Sequence, residues 1–397
     1  MADHATREDI HLVSGEFWGH NPHEELRWMR ENAPVYWDGA VWGIARYEDV
    51  RRISKDTVTF SSAEGIRPES AGGSMMIEMD DPEHWTRRRV VNRGYTPPRV
   101  RDREEDMVRI CNDIIDEVCE RGECDFVWDI AARLPLIVIA NDLGVEPEDR
   151  DQLLAWSDQM LSALVGDPDP DGQASDAFTG YSEYAARVMA DRRERPRDDV
   201  MSTLCHAEID GQRLDDFSII SESLLILIGG DETTRHVISG GAYQLLSEGG
   251  AWAALSAAPE KLETAVEEML RWVSPIKNMA RTATRDVEYD GQLIHEGEKL
   301  LLLYPSANRD EAVFDDPFRF DVERDPNPHV AFGYGSHLCL GHSLARLELR
   351  TMFETLFARL PDLALVDESE PAYRPANFVS GYQTMPVRFT PTAPVGA

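Results

Sequence analysis

The sequence predicts a mainly α-helical chain with a small β-rich lobe near the N-terminus, folded as one domain over residues 1–397. Three observations carry that expectation. Between residues 103 and 190 apolar side chains recur at helical spacing, as in Val108, Ile110, Cys111, Ile114, Ile115 and Val118. The run Leu224 to Ile228 is apolar on every side, which marks a buried helix rather than a surface one. Short extended runs flank Asp38-Gly39 and Asp290-Gly291, a dipeptide suited to tight hairpin turns. Length alone would suggest about two or three domains, yet no linker, internal repeat or low-complexity segment divides the chain.

Composition narrows the function. A net charge of −33 argues against nucleic-acid binding, which needs clustered Lys and Arg. No apolar run is long enough to span a bilayer, and the polar stretch 1–9 lacks the apolar core of a secretory signal, so no membrane anchor is expected. Five cysteines at irregular spacing do not suggest a disulfide framework and fit a reducing cytoplasm.

Taken in order, residues 22–32 read as a helix with Leu26 and Met29 inward, followed by a hairpin of 35–37 and 41–45. Residues 61–81 are rich in Gly, Ser and Met without a clean period, and loops of this length often act as lids or binding loops. Ile66, Met75, Met76 and Ile77 are candidates to line a pocket, or to plug the core beneath the loop. Pro82 opens a helix whose His84 and Arg88 share one face. From 85 to 103 the chain carries Arg87, Arg88, Arg89, Arg93, Arg99, Arg101 and Arg103 against a single Asp102. Such a run is a solvated face or a patch that steers an acidic partner. Cys111 and Cys119 read as core. Acidic breaks at 146–149 and 166–171 read as helix–helix loops, and Met160, Leu161 and Leu164 as packing or cavity residues.

The helix expected over 217–246 contains Gly229-Gly230-Asp231-Glu232-Thr233-Thr234. Each glycine inside a helix costs about 1 kcal/mol relative to Ala, and acidic groups are rarely buried unless paired or used. A kink would explain the glycines but not the carboxylates. Gly229 leaves room for a ligand against the backbone, and a Thr hydroxyl bonded to a carbonyl four residues earlier opens a groove. The helix expected over 259–274 carries Glu268 and Arg271, able to pair at i,i+3. Pro275 ends it, and an extended stretch with Ile276, Met279 and Arg281 follows. Near the C-terminus, 374–381 reads as a loop between strands, with Phe378 and Val379 as cavity candidates.

The densest chemistry lies at Phe332-Gly333-Tyr334-Gly335-Ser336-His337-Leu338-Cys339-Leu340-Gly341, just before a helix expected over 340–360. Glycines supply positive φ angles there. Backbone N–H groups and the helix N-terminus favour a thiolate. Three readings of Cys339 compete: a buried small hydrophobe, a zinc ligand with His337 and His342, and the single thiolate ligand of a haem.

The pattern Phe332-x-x-Gly335-x-His337-x-Cys339-x-Gly341 resembles the haem-binding signature of cytochrome P450 at every fixed position. That resemblance implies the cytochrome P450 fold and haem b (iron protoporphyrin IX), with Cys339 as proximal iron ligand, His337 on a propionate and Phe332 beside the sulfur. His84 and Arg88 are similar to the family's His-x-x-x-Arg pair for propionates, and Arg281 matches a further propionate ligand. The stretch from Gly229 resembles the oxygen-binding motif, with Glu232 and Thr233 as the acid–alcohol pair that delivers protons. Glu268 and Arg271 match the Glu-x-x-Arg that ties its helix to the loop before the signature. Ile276 and Met279 would face the cavity above the haem.

Monooxygenation is the implied reaction, fed by two electrons from a separate acidic ferredoxin and an NAD(P)H-dependent ferredoxin reductase. The arginine run, with Arg346 and Arg350, would receive the ferredoxin. Stretches 65–68, 75–82, 224–241 and 375–381 look like the actinobacterial cytochromes P450 that hydroxylate the terminal methyl (C26/C27) of cholesterol or cholest-4-en-3-one. Branched fatty acids or terpenoids would suit the same lining. A peroxide-driven haem-thiolate enzyme and a non-catalytic haem- or steroid-binding protein are the readings of other classes.

Overall fold

Helix Asp216–Ser247 is the axis of the helical lobe. Asp215 caps it, accepting from the Ser218 N–H at 2.8 Å. Its apolar faces pack on helices Arg133–Leu143, Leu262–Val273 and His342–Arg359, which together build the largest hydrophobic core. The structure, a computed structural model, describes residues 5–162 and 172–396. Leu164 and the break at 166–171 lie outside the described residues, as does the side chain of Leu161.

The β-rich lobe expected near the N-terminus also takes strands from the second half of the chain. Its five-stranded sheet runs Val35–Trp37, Trp42–Ile44, Lys299–Leu303, Asn278–Ala283, Phe60–Ser61. Lys299–Leu303 lies parallel to Trp42–Ile44 and antiparallel to Asn278–Ala283. The two expected hairpins form: Gly39 has φ +101°, and Asp290 and Gly291 take φ +49° and +76°, the paired positive angles of a type I′ turn. Asp210-Gly211 makes a third such turn between two-residue strands.

Residues 61–81 form an irregular loop broken by one 3-10 turn, Met76–Glu78. Helix Glu83–Asn92 follows Pro82. Among the described residues no helix is long and apolar enough to cross a membrane. The signature loop passes beneath helix Asp216–Ser247, and a cavity lies between them.

Candidate active site

The floor of the cavity is the signature loop, including Phe332, Gly333, Cys339 and Gly341. Two glycines there have no substitute. Gly335 has φ +80° and a Cβ on it would stand 2.6 Å from Ser54 O; Gly333 has φ +70°. Cys339 N–H donates to Phe332 O at 2.9 Å, closing the loop. The exposed part of Cys339 lines the cavity. Burial pushes its thiol up, while the N–H groups of Gly341 and His342 and the guanidinium groups of Arg88 and Arg346 pull it down. Burial wins, and the thiol lies above its ordinary value. Arg346 lies 4.6 Å from the centre of the Phe332 ring.

One end of the cavity gathers nitrogen donors. His84 stacks on His337 with ring centres 4.0 Å apart. His84 Nδ1 donates to Asp81 Oδ1 at 3.2 Å, and His337 Nε2 is 3.3 Å from Ser62 Oγ. Burial, then the nearby Arg281, holds His337 down to about 2, so its ring is neutral at physiological pH. Arg281 is buried; its Nη1 donates to Ala280 O at 2.7 Å and its Nε has no partner. Arg88 donates to Ser336 O at 3.4 Å and to Leu338 O. A buried guanidinium nitrogen without an acceptor is rare in a finished interior. Beside three more donors it marks a place for carboxylates. A soft thiol below, hydrogen-bond donors for carboxylates at one end and open space at Gly229 and Gly341 fit haem b. Among the described residues no three His, Cys, Asp or Glu side chains converge on a metal position, so His337, Cys339 and His342 do not form a zinc set.

The roof is helix Asp216–Ser247. Thr233 lines the cavity and its Oγ1 donates to Gly229 O at 3.0 Å. An added Cβ at Gly229 would meet nothing within 4 Å, whereas at Gly230 it would stand 2.8 Å from Ile139. The first glycine therefore keeps the cavity open and the second lets two helices pack. Glu232 points elsewhere. It is fully buried outside the cavity lining, and its Oε1 accepts from Arg235 at 2.6 Å and Arg374 at 2.7 Å. Arg235 also reaches Asp158 at 3.1 Å. Burial raises the Glu232 pKa and the two guanidinium groups oppose it. Acid and alcohol, adjacent in sequence, thus occupy different faces.

Glu268 and Arg271 form a buried knot rather than a surface pair. Arg271 donates to both Glu268 oxygens at 2.7 Å and to the carbonyls of Asn308 and Pro317 at 2.8 and 2.9 Å. Glu268 also accepts from Asp321 N at 2.8 Å and Asn327 Nδ2 at 3.1 Å. The stretch leading to Cys339 hangs on this pair.

Ile66, Met76, Ile77, Ile276 and Met279 line the cavity, joined by Leu225 and Ile226. Met75, Phe378 and Val379 do not, and these three expectations are corrected. Met75 packs against the main core, Phe378 lies under the Arg67 guanidinium at 4.3 Å, and Val379 is buried in a bridge to Ile276. Sequence reasoning missed Tyr304 and Glu348, which also line the cavity. Burial pushes Glu348 up to about 8. Its one signal was an acid between Leu347 and Leu349, both buried.

The arginine patch is smaller than expected. Arg88 turns inward, Arg87 meets Glu222, Arg103 pairs with Asp142, Arg346 with Glu267 and Arg350 with Glu104. Arg89, Arg93, Arg99 and Arg101 remain exposed.

Loop, thiol and donors for carboxylates define a haem-thiolate protein. A family model for Cytochrome P450 matches residues 260–371. The chain is 50% identical over 399 residues to the steroid C26-monooxygenase of Mycolicibacterium smegmatis, covering all of both chains. It is 49% identical to that of Mycobacterium tuberculosis, covering 98% of this chain and 99% of the other. A Mycobacterium marinum cytochrome P450 in complex with pseudoionone superposes with a TM-score of 0.90 at 33% identity, covering 98% of this chain and all of that one. A Bacillus megaterium relative in complex with testosterone gives 0.86 at 33% identity, over 93% of this chain and 98% of that one. The chain belongs to the cytochrome P450 family. It is a monooxygenase and its cofactor is haem b.

Proposed function

We propose that this monooxygenase hydroxylates the terminal methyl of a steroid side chain, with cholesterol or cholest-4-en-3-one as substrate. The observation that carries the reading is half-identity, end to end, to a relative named for steroid C26 monooxygenation. The apolar wall of Ile66, Met76, Ile77, Leu225, Ile276 and Met279 supports it, since an aliphatic chain is driven from water into such a lining.

Bound haem supplies the activation of dioxygen. Cys339 holds its iron, and Arg88, Arg281, His84 and His337 take its carboxylates. Thr233 Oγ1, fixed on Gly229 O, holds a proton at the cavity face. Glu232 would restore that proton by taking one from solvent past Arg374, whose side chain keeps 20% exposure, and turning its carboxyl from Arg235 and Arg374 toward Thr233. The apolar wall orients the chain and keeps water away. Electrons come from an acidic ferredoxin and its NAD(P)H-dependent reductase, docking over Arg89, Arg93, Arg99 and Arg101 beside the exposed Leu338 and Trp85. Five cysteines without a disulfide agree with a cytoplasmic setting.

Titration of the ferric holoenzyme with cholest-4-en-3-one tests the reading. The expected result is a low-to-high-spin change followed, on turnover, by a product hydroxylated at the chain terminus. The pseudoionone complex of the M. marinum relative favours one competing substrate class. A spectral response to pseudoionone with none to saturating steroid would move the assignment to terpenoids.

A further inference from the structure

The loop over residues 61–81 is held to the protein in two different ways. Its first half is knotted. Lys299 Nζ donates to the carbonyls of Glu64 at 2.9 Å, Arg67 at 2.8 Å and Ser70. Arg67 reaches Asn278 and Asn377, and Ile66 O accepts from Ala280 N–H at 2.8 Å. The far end is fixed by Asp80, which accepts from Ser62 N–H at 2.9 Å and from Ser61 Oγ.

Between those anchors, residues 73–78 follow Gly72, at φ +85°, and carry Met76 and Ile77 into the cavity wall. This arc has few holds. Glu222 Oε1 accepts from Met76 N–H at 2.9 Å, Ser74 Oγ donates to Ser221 Oγ at 3.1 Å, and Ser70 Oγ donates to Glu78 at 3.3 Å. Two of the three come from adjacent residues on helix Asp216–Ser247. Glu222 is 1% exposed, and its Oε2 has no partner. No role in haem binding or proton delivery accounts for a carboxyl buried there.

We propose that Glu222 is a positioning residue whose bond to the Met76 N–H holds the 73–78 arc closed, setting the cavity wall and the rate at which an apolar substrate is admitted. The inference rests on reading the cavity as the substrate site, and it does not depend on which substrate enters.

Arg87, from helix Glu83–Asn92, is the charged group that faces Glu222, at 3.4 Å. The arc faces it with a backbone N–H. Burial outweighs both and raises the carboxyl from an ordinary 4.5 to about 7. A closed arc therefore binds a proton more tightly than an open one in which water reaches Glu222. Closure takes up that proton, so it is strongest below the ordinary value and weakens as pH rises towards 7.

Amide hydrogen exchange over 73–78 in the holoenzyme tests this without any steroid, so its failure is distinct from failure of the steroid reading. Wild type is compared at matched pH with Glu222→Gln, which stays neutral and keeps an acceptor for the Met76 N–H, and with Glu222→Ala, which cannot hold it. The expected exchange of wild type relative to Glu222→Gln rises by up to about 10²-fold between about pH 5 and about pH 8. Glu222→Ala exchanges fast throughout. Equal exchange in all three proteins overturns the proposal, as does Glu222→Gln exchanging as fast as Glu222→Ala. Should Glu222→Ala not fold, wild type against Glu222→Gln still decides.

Discussion

At the scale of single residues, the site divides into groups that hold the cofactor and groups that serve the reaction. Arg281 belongs to the first. A hydrogen bond to a charged group is worth about 1.5–3 kcal/mol. Arg281→Leu should therefore lose haem about ten- to a hundredfold more readily, measured as haem transfer to a globin acceptor. Thr233 belongs to the second, because its hydroxyl faces the cavity while Glu232 does not. Positioned proton transfer contributes about 10²–10⁴-fold. Thr233→Ala should lower product formation by about 10²-fold while NAD(P)H and oxygen are still consumed. Full coupling of consumption to product in that variant would remove Thr233 from the relay. These residues were legible because short-range demands select them: a positive φ at Gly335, a thiol at one place, a hydroxyl one turn from a glycine. Glu348 and Tyr304 were not, since nothing local separates a cavity wall from an ordinary core position.

Among the elements, helix Leu262–Val273 shows how much a single pair can organise. Glu268 and Arg271 are both fully buried and bond to each other and to six further groups of the stretch 308–327. Removing one member leaves the other as an uncompensated buried charge, at a cost of about 3–5 kcal/mol. Glu268→Ala should fail to accumulate as folded holoenzyme, read by soluble yield and haem content. Normal haem loading in that variant would show the knot to be dispensable. Spacing revealed that the pair could form but not that it is buried, because its other partners lie dozens of residues away. The hairpins were more readable. Asp38-Gly39 and Asp290-Gly291 set their own turns, and Asp210-Gly211 carried the same signal unread. The loop 61–81 was readable as a loop alone: its lack of period hides which side chains turn inward, so Met76 and Met75 could not be told apart.

Over the whole molecule, an acidic protein carries four exposed arginines between residues 89 and 101. The sequence run made that set look larger. Pairing across long separations, such as Arg350 with Glu104 some 246 positions away, neutralises much of it. Charge reversal at Arg89 and Arg93 should slow reduction by a ferredoxin, with a difference that shrinks as salt rises, because exposed charges are screened beyond about 8–10 Å at physiological salt. Unchanged reduction rates at low salt would move the docking site elsewhere. The fold was legible as a whole because the signature implies it, whereas the joining of strands from both ends of the chain into one sheet was not. The account as a whole depends on the bond between Cys339 and iron. Its most direct test is the absorption spectrum of the reduced holoenzyme under carbon monoxide. A Soret band at the long wavelength of a thiolate-ligated haem, lost in Cys339→His, is the predicted result. A band at the position of a histidine-ligated globin in the wild-type protein would contradict it.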